Sequence, residues 1–159
     1  MRVKDVWRRA RWLLGLVGLC ALATCPAAQR QCATKRAARE APALLGYLVE
    51  RVRAHVGEHH ALPDVNVGPT PPVGTCCEHG GETCAPDPAR WQDPGWRALG
   101  FSIDDRHRFA YQVHRDGAAL VLTAIGDQDC DGVRATYEVR LTLEDDQVIE
   151  AWSQHQPLE

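Results

Sequence analysis

The sequence has no strong excess of charge of either sign. Its 159 residues carry 18 Lys and Arg against 21 Asp and Glu, a formal net charge of -3. Nucleic-acid binding requires a basic stripe that neutralises phosphates, so this near-neutral balance sets that partner class aside. The chain also lacks an uninterrupted strongly apolar run of about 20 residues, the length a helix needs to cross a bilayer. With 45% apolar and 25% charged residues it does not have the composition of a disordered chain, and its length fits one small domain with a short appendage.

The first residues differ from the rest. Arg2, Lys4, Arg8, Arg9 and Arg11 precede an apolar run over 12–23, followed by small residues at Ala21, Ala23, Ala27 and Ala28. That layout predicts a secretory signal peptide or short membrane anchor over residues 1–28, and hence export to the periplasm, the outer surface or the extracellular space. Ala21 and Ala23 offer a small-x-small cleavage site. The series Leu22, Ala23, Thr24, Cys25 also approximates a bacterial lipobox, with lipid on Cys25 as the outcome. Any membrane association therefore runs through this segment or that lipid.

Seven cysteines are present. Cys20 and Cys25 belong to the leader, Cys32 is left over, and Cys76, Cys77, Cys84 and Cys130 are expected to oxidise outside the cytoplasm. Four cysteines allow three pairings. A bond between the adjacent Cys76 and Cys77 is strained, so one of them is expected to reach Cys84 and the other Cys130, in either combination.

Ala41, Leu45, Leu48, Val52 and Val56 recur at spacings of three and four, with Glu50, Arg51 and Arg53 between them, which predicts an amphipathic helix over 29–60. Pro42 opens or kinks it and Gly57 ends it. Residues 61–106 lose all periodicity and are rich in Pro, Gly and Cys, so they are expected to form a long loop tied by disulfides, with Trp91, Trp96, Leu99 and Phe101 docking it onto the core. After residue 106 the period becomes two. Phe109, Tyr111 and Val113 mark one strand, a turn at Asp116 and Gly117 leads to a second over 120–125, and Ala135, Tyr137, Val139, Leu141 and Leu143 mark a third; 147–152 adds a fourth after Glu144, Asp145 and Asp146. The expected fold is α+β: an N-terminal helix on an antiparallel β-meander of three to four strands, which occupies 107–159.

Between the second and third strands lie Asp127, Asp129, Asp131, Gly132 and Glu138, which fit the calcium-loop pattern D-x-[DN]-x-[DN]-G-x5-E. Alternate carboxylates converge on one hard cation, glycine permits the turn, the Val133 carbonyl is a further ligand, and Glu138 closes the shell with two oxygens. The acidic loop over 127–138 is thus a candidate structural calcium site built between strands, unlike the helix-flanked form. The competing reading is an Asx-type turn made by the same aspartates.

The ordered series Cys76, Cys77, Gly80, Gly81, then CAPDP at 84–88, Trp91, Trp96, LGFSIDD at 99–105, His107, Arg108, Phe109, Tyr111, Gln112 and AIGDQDCDG at 124–132 resembles the globular head of type IV pilin-like proteins of high-GC proteobacteria. The resemblance spans about residues 32–143. It implies a long helix laid against an antiparallel sheet, a disulfide-tied region, and other pilin-like subunits or envelope proteins as partners. The N-terminus departs from the pilin pattern: the apolar run holds no acidic residue. The expectation is a pilin-like head exported by the general route, or a divergent minor subunit, and in either case not an enzyme. The alternative is an exported zinc protein or enzyme using Cys76, Cys77, His79 and Cys84, with His59 and His60 as further ligand types. Asp104 and Asp105 read as a solvated turn.

Overall fold

A computed structural model describes residues 39–156, so the expected leader, the lipid on Cys25, Cys32 and the first part of the expected helix lie outside the described residues. Among the described residues no helix is long and apolar enough to cross a membrane.

Residues 39–59 are helical (α1). Ala41, Leu45, Leu48, Val49, Val52 and Val56 are all buried, so the apolar stripe lies on one face and packs into the core. Gly57 does not end the helix. Two more helical residues follow, and the turn out of the helix falls at His60, with φ 54°. On the polar side, Arg53 pairs with Glu50 one turn earlier at 2.6 Å and with Glu150 of the sheet.

Five strands form one sheet in the order β1 (Val67–Thr70), β2 (Ala110–Asp116), β3 (Ala119–Gly126), β4 (Ala135–Glu144) and β5 (Gln147–His155), every pair antiparallel. The helix-plus-sheet class is as expected. The strand count is corrected from three to four up to five. The addition, β1, comes from the region read as loop, where Pro69 argues against a strand; a proline is tolerated here because β1 is an edge strand of four residues. Tyr111, Val113, Leu120, Leu122, Ala124, Tyr137, Val139 and Leu141 alternate onto the buried face. Two-residue turns join β2 to β3 and β4 to β5. In the latter Asp145 and Asp146 both have positive φ (48° and 62°), as the right-handed twist of a tight hairpin requires.

The region 61–106 is more ordered than the periodicity predicts. Besides β1 it holds two 3₁₀ turns (Thr75–Gly80 and Pro88–Trp91) and a short helix α2 (Pro94–Leu99). The second 3₁₀ turn and α2 begin alike: Asp87 and Asp93 accept the backbone N–H of Ala89 and Gly95 at 3.2 and 2.8 Å, and Pro88 and Pro94 take the first helical position. Helix α2 ends in a Schellman arrangement. The N–H groups of Gly100 and Phe101 donate to the carbonyls of Arg97 and Trp96, both at 3.0 Å, with Gly100 left-handed at φ 59° and pressed against the Arg51 guanidinium. Trp91, Trp96 and Phe101 then pack with ring centroids 5.3–5.4 Å apart, and Phe101 reaches Tyr111 of the sheet at 5.8 Å. This aromatic cluster is the expected docking of the segment onto the core, and the burial of two indoles and a phenyl ring supplies its main driving force.

Candidate functional site

Two disulfides concentrate the candidate groups at one end of the sheet. Cys76 bonds to Cys84 and Cys77 to Cys130. This is one of the two combinations open from the sequence, with Cys76 taking the nearer partner and Cys77 the farther. Cys76 closes a short loop; Cys77 reaches across 53 residues and pins the acidic turn. Two disulfides of this kind point to an oxidising, extracytoplasmic environment.

The acidic loop leaves β3 at Gly126 and enters β4 at Ala135. Carboxylate oxygens of Asp127, Asp129 and Asp131 lie within 4.8 Å of one another. Asp127 is half-buried and its two oxygens accept the N–H groups of Asp131 (3.2 Å) and Gly132 (2.8 Å), while Asp131 accepts the N–H of Val133 at 2.7 Å. Gly132 is left-handed, φ 97°, and so is Cys130, φ 62°. These bonds are those of an Asx-type turn. They occupy only part of each carboxylate's accepting capacity, about four lone-pair directions, so the three groups remain able to face a small hard cation.

Glu138 is not part of that group. It pairs with Thr123 and Ser153 in mid-strand, three residues beyond Ala135. At about 3.3 Å per residue this sets it roughly 10 Å along β4 from the loop. The spacing of a helix-flanked calcium loop turns the last residue back toward the ion, whereas an extended strand carries it away. The groups that come together are therefore the three aspartates; Val133 lies in the same turn, where its N–H donates to Asp131.

The expected Cys/His cluster divides in two. A ring nitrogen of His107 joins the sulfurs of Cys76 and Cys84 within 4.8 Å, and Asp127 joins Cys77 and Cys130 likewise. His60 lies 3.5 Å from Asp146, and His59 3.9 Å from Glu58 and 4.4 Å, ring to ring, from His55, so neither joins the cysteines. The side chain of His79 lies outside the described residues.

His107 joins Cys84 through a non-local backbone bridge, with N–H to O=C distances of 2.7 and 3.4 Å, a contact that no local sequence pattern signals. Glu40 makes a second contact of this non-local kind. From α1 its Oε1 accepts the N–H of Arg108 at 2.7 Å and of Phe109 at 3.4 Å, tying the helix to the segment entering β2. Burial pushes its carboxyl up from the ordinary carboxylate value, against the pull of those two donors and of the Arg108 charge. Burial also raises the Tyr111 hydroxyl well above the usual tyrosine value, and the neighbouring Glu40 adds to it. Cavity-lining residues cluster around His107: a space of about 460 Å³ is bounded by Thr75, Glu78, Thr83, Cys84, Trp91 and His107, among others.

No protein-family model, no curated protein and no solved structure matches the chain.

Proposed function

We propose that this chain is a non-enzymatic extracytoplasmic structural or interaction module of the type IV pilin-head kind, with the turn at 127–133 serving as a structural calcium site. The observation that carries the reading is the way the pieces are joined: a helix stripe laid on one antiparallel sheet, with the intervening segment and the β3–β4 turn cross-linked by two disulfides. That is the arrangement the resemblance at residues 32–143 implies. Such a construction favours rigidity over motion, because both bridges and a cluster of buried aromatics hold the non-periodic segment. Other pilin-like subunits or envelope proteins are its proposed partners.

Calcium belongs in this picture as a clamp. Three aspartates in one turn repel each other, and a divalent cation removes that repulsion while fixing the turn that Cys130 anchors. With three carboxylates and no bidentate glutamate, affinity falls in the weak extracellular class, a Kd of about 10⁻⁴–10⁻³ M. A thermal melt in millimolar Ca²⁺ and in EDTA tests this part: the account expects a higher Tm with Ca²⁺, a difference abolished by Asp129→Ala and kept by Glu138→Gln. Equal melts in the two buffers refute the calcium site. Assembly is tested by fractionating the producing cells, where co-sedimentation with sheared surface filaments or other envelope components supports the module and recovery only as free monomer contradicts it.

A further inference from the structure

His107 is buried, 3% exposed, and its two ring nitrogens stand in different situations. Nδ1 lies 3.1 Å from the carbonyl oxygen of Asp105, a contact that places the proton on Nδ1 and leaves Nε2 with a lone pair. Nε2 is buried and has no hydrogen-bond partner. Buried acceptors are satisfied in the great majority of cases, so an orphaned nitrogen on an imidazole that comes within 4.8 Å of two sulfurs requires an explanation. Cys76 and Cys84 are themselves buried, at 6% and 8% exposure. The bridge between the Cys84 and His107 backbones fixes the geometry, and the Asp105 carbonyl orients the ring as outer-shell partners orient metal-bound histidines.

We propose that in the reduced chain Cys76, Cys84 and His107 form a zinc-type metal site whose occupancy is set by the thiol–disulfide state of the two cysteines. Reduction by a dithiol breaks the Cys76–Cys84 bond and forms the corresponding bond in the reductant, and two electrons pass to the cysteines, which become thiols. A divalent d¹⁰ cation then forms two metal–sulfur bonds and one metal–nitrogen bond and releases two protons. Two thiolates, one neutral imidazole and a 2+ ion sum to zero charge, which suits a buried position. Cys84 and His107 also line the cavity bounded by Thr75, Glu78 and Thr83, so a water in that space can supply the fourth ligand. In the reverse exchange a small disulfide accepts the two electrons and is cleaved to its thiols while the Cys76 and Cys84 sulfurs join, which removes both anionic ligands, so metal and disulfide exclude one another. The second trio, Cys77, Asp127 and Cys130, is a poorer zinc site because it offers no imidazole.

The test uses the full chain, reduced anaerobically with a phosphine and titrated with Co²⁺ as a spectroscopic stand-in, with Zn²⁺ as competitor. Wild type and Cys77→Ser/Cys130→Ser should each bind one ion with tetrahedral d–d bands and thiolate-to-cobalt charge transfer, displaced by Zn²⁺. His107→Leu should weaken binding at least tenfold, and the oxidised chain should show no such bands. Absence of charge transfer in the reduced wild type, or equal affinity in His107→Leu, overturns the proposal. Should His107→Leu not fold, zinc-edge X-ray absorption of the reduced wild type decides: two sulfurs with an imidazole uphold the site, and four sulfurs or an oxygen shell overturn it.

Discussion

The two disulfides differ in one quantity that chain statistics turn into energy, the length of loop each closes. Cys76–Cys84 spans a separation of 8 residues and Cys77–Cys130 one of 53. Restricting the unfolded chain contributes, at room temperature, about 2.6 kcal/mol for the short loop and about 4.2 kcal/mol for the long one. Comparing cysteine deletions alone confuses this with packing, because Cys76 and Cys84 are buried and their removal leaves a void. The cleaner perturbation keeps one bridge at a time. Cys76→Ala/Cys84→Ala retains the long bridge, Cys77→Ala/Cys130→Ala retains the short one, and each variant is unfolded in urea oxidised and then reduced. Side-chain volume hardly changes within such a pair of measurements, so the difference isolates the cross-link. With a denaturant slope of about 2 kcal/mol/M, reduction should lower the midpoint by about 2 M in the first variant and about 1.3 M in the second. Equal drops, or a larger drop for the short loop, would refute the view that these bridges act by constraining the unfolded chain.

Glu40 and Asp116 should move stability with pH in opposite directions. The Glu40 carboxyl is raised by burial, so its contribution is fully present below the ordinary carboxylate value and is lost as pH rises through the folded value; relative to Glu40→Gln, wild type should lose stability as pH rises above the ordinary carboxylate value, and a flat or rising difference in urea titrations would contradict this. Asp116 is exposed, and its hydrogen bond with Arg140 at 2.6 Å holds its carboxyl low, so its small contribution is present above the ordinary value and lost as pH falls through the folded one, a trend Asp116→Asn should erase. Gly46 sits in mid-helix with no atom within 4 Å of an added Cβ, so Gly46→Ala should raise stability by about 0.5–1 kcal/mol; an unchanged or lower urea midpoint would argue against it.

What the sequence disclosed follows a physical division. The stripe on α1 and the alternation in β2 to β4 were legible because a periodic face must be buried somewhere, whatever the topology. The segment 61–106 was not, because its elements are four to six residues long and carry no period. Their signal was local instead: Asp87-Pro88 and Asp93-Pro94 each pair a capping carboxylate with a proline at the first helical position. Gly57 misled in the other direction, since an exposed glycine is tolerated inside a helix that tertiary packing already holds. At the acidic loop, spacing alone located Asp127, Asp129 and Asp131 but could not say that β4 begins at Ala135 and carries Glu138 off along the sheet. The approach of His107 to Cys84 and of Glu40 to Arg108 depends on tertiary packing, and no local pattern encodes it.

The most direct test of an extracytoplasmic, bridge-stapled module is a non-reducing peptide map of the protein recovered from fractionated cells. The account predicts recovery from the envelope or medium with Cys76 linked to Cys84 and Cys77 linked to Cys130. Recovery from the cytosol with these four cysteines as free thiols would contradict it.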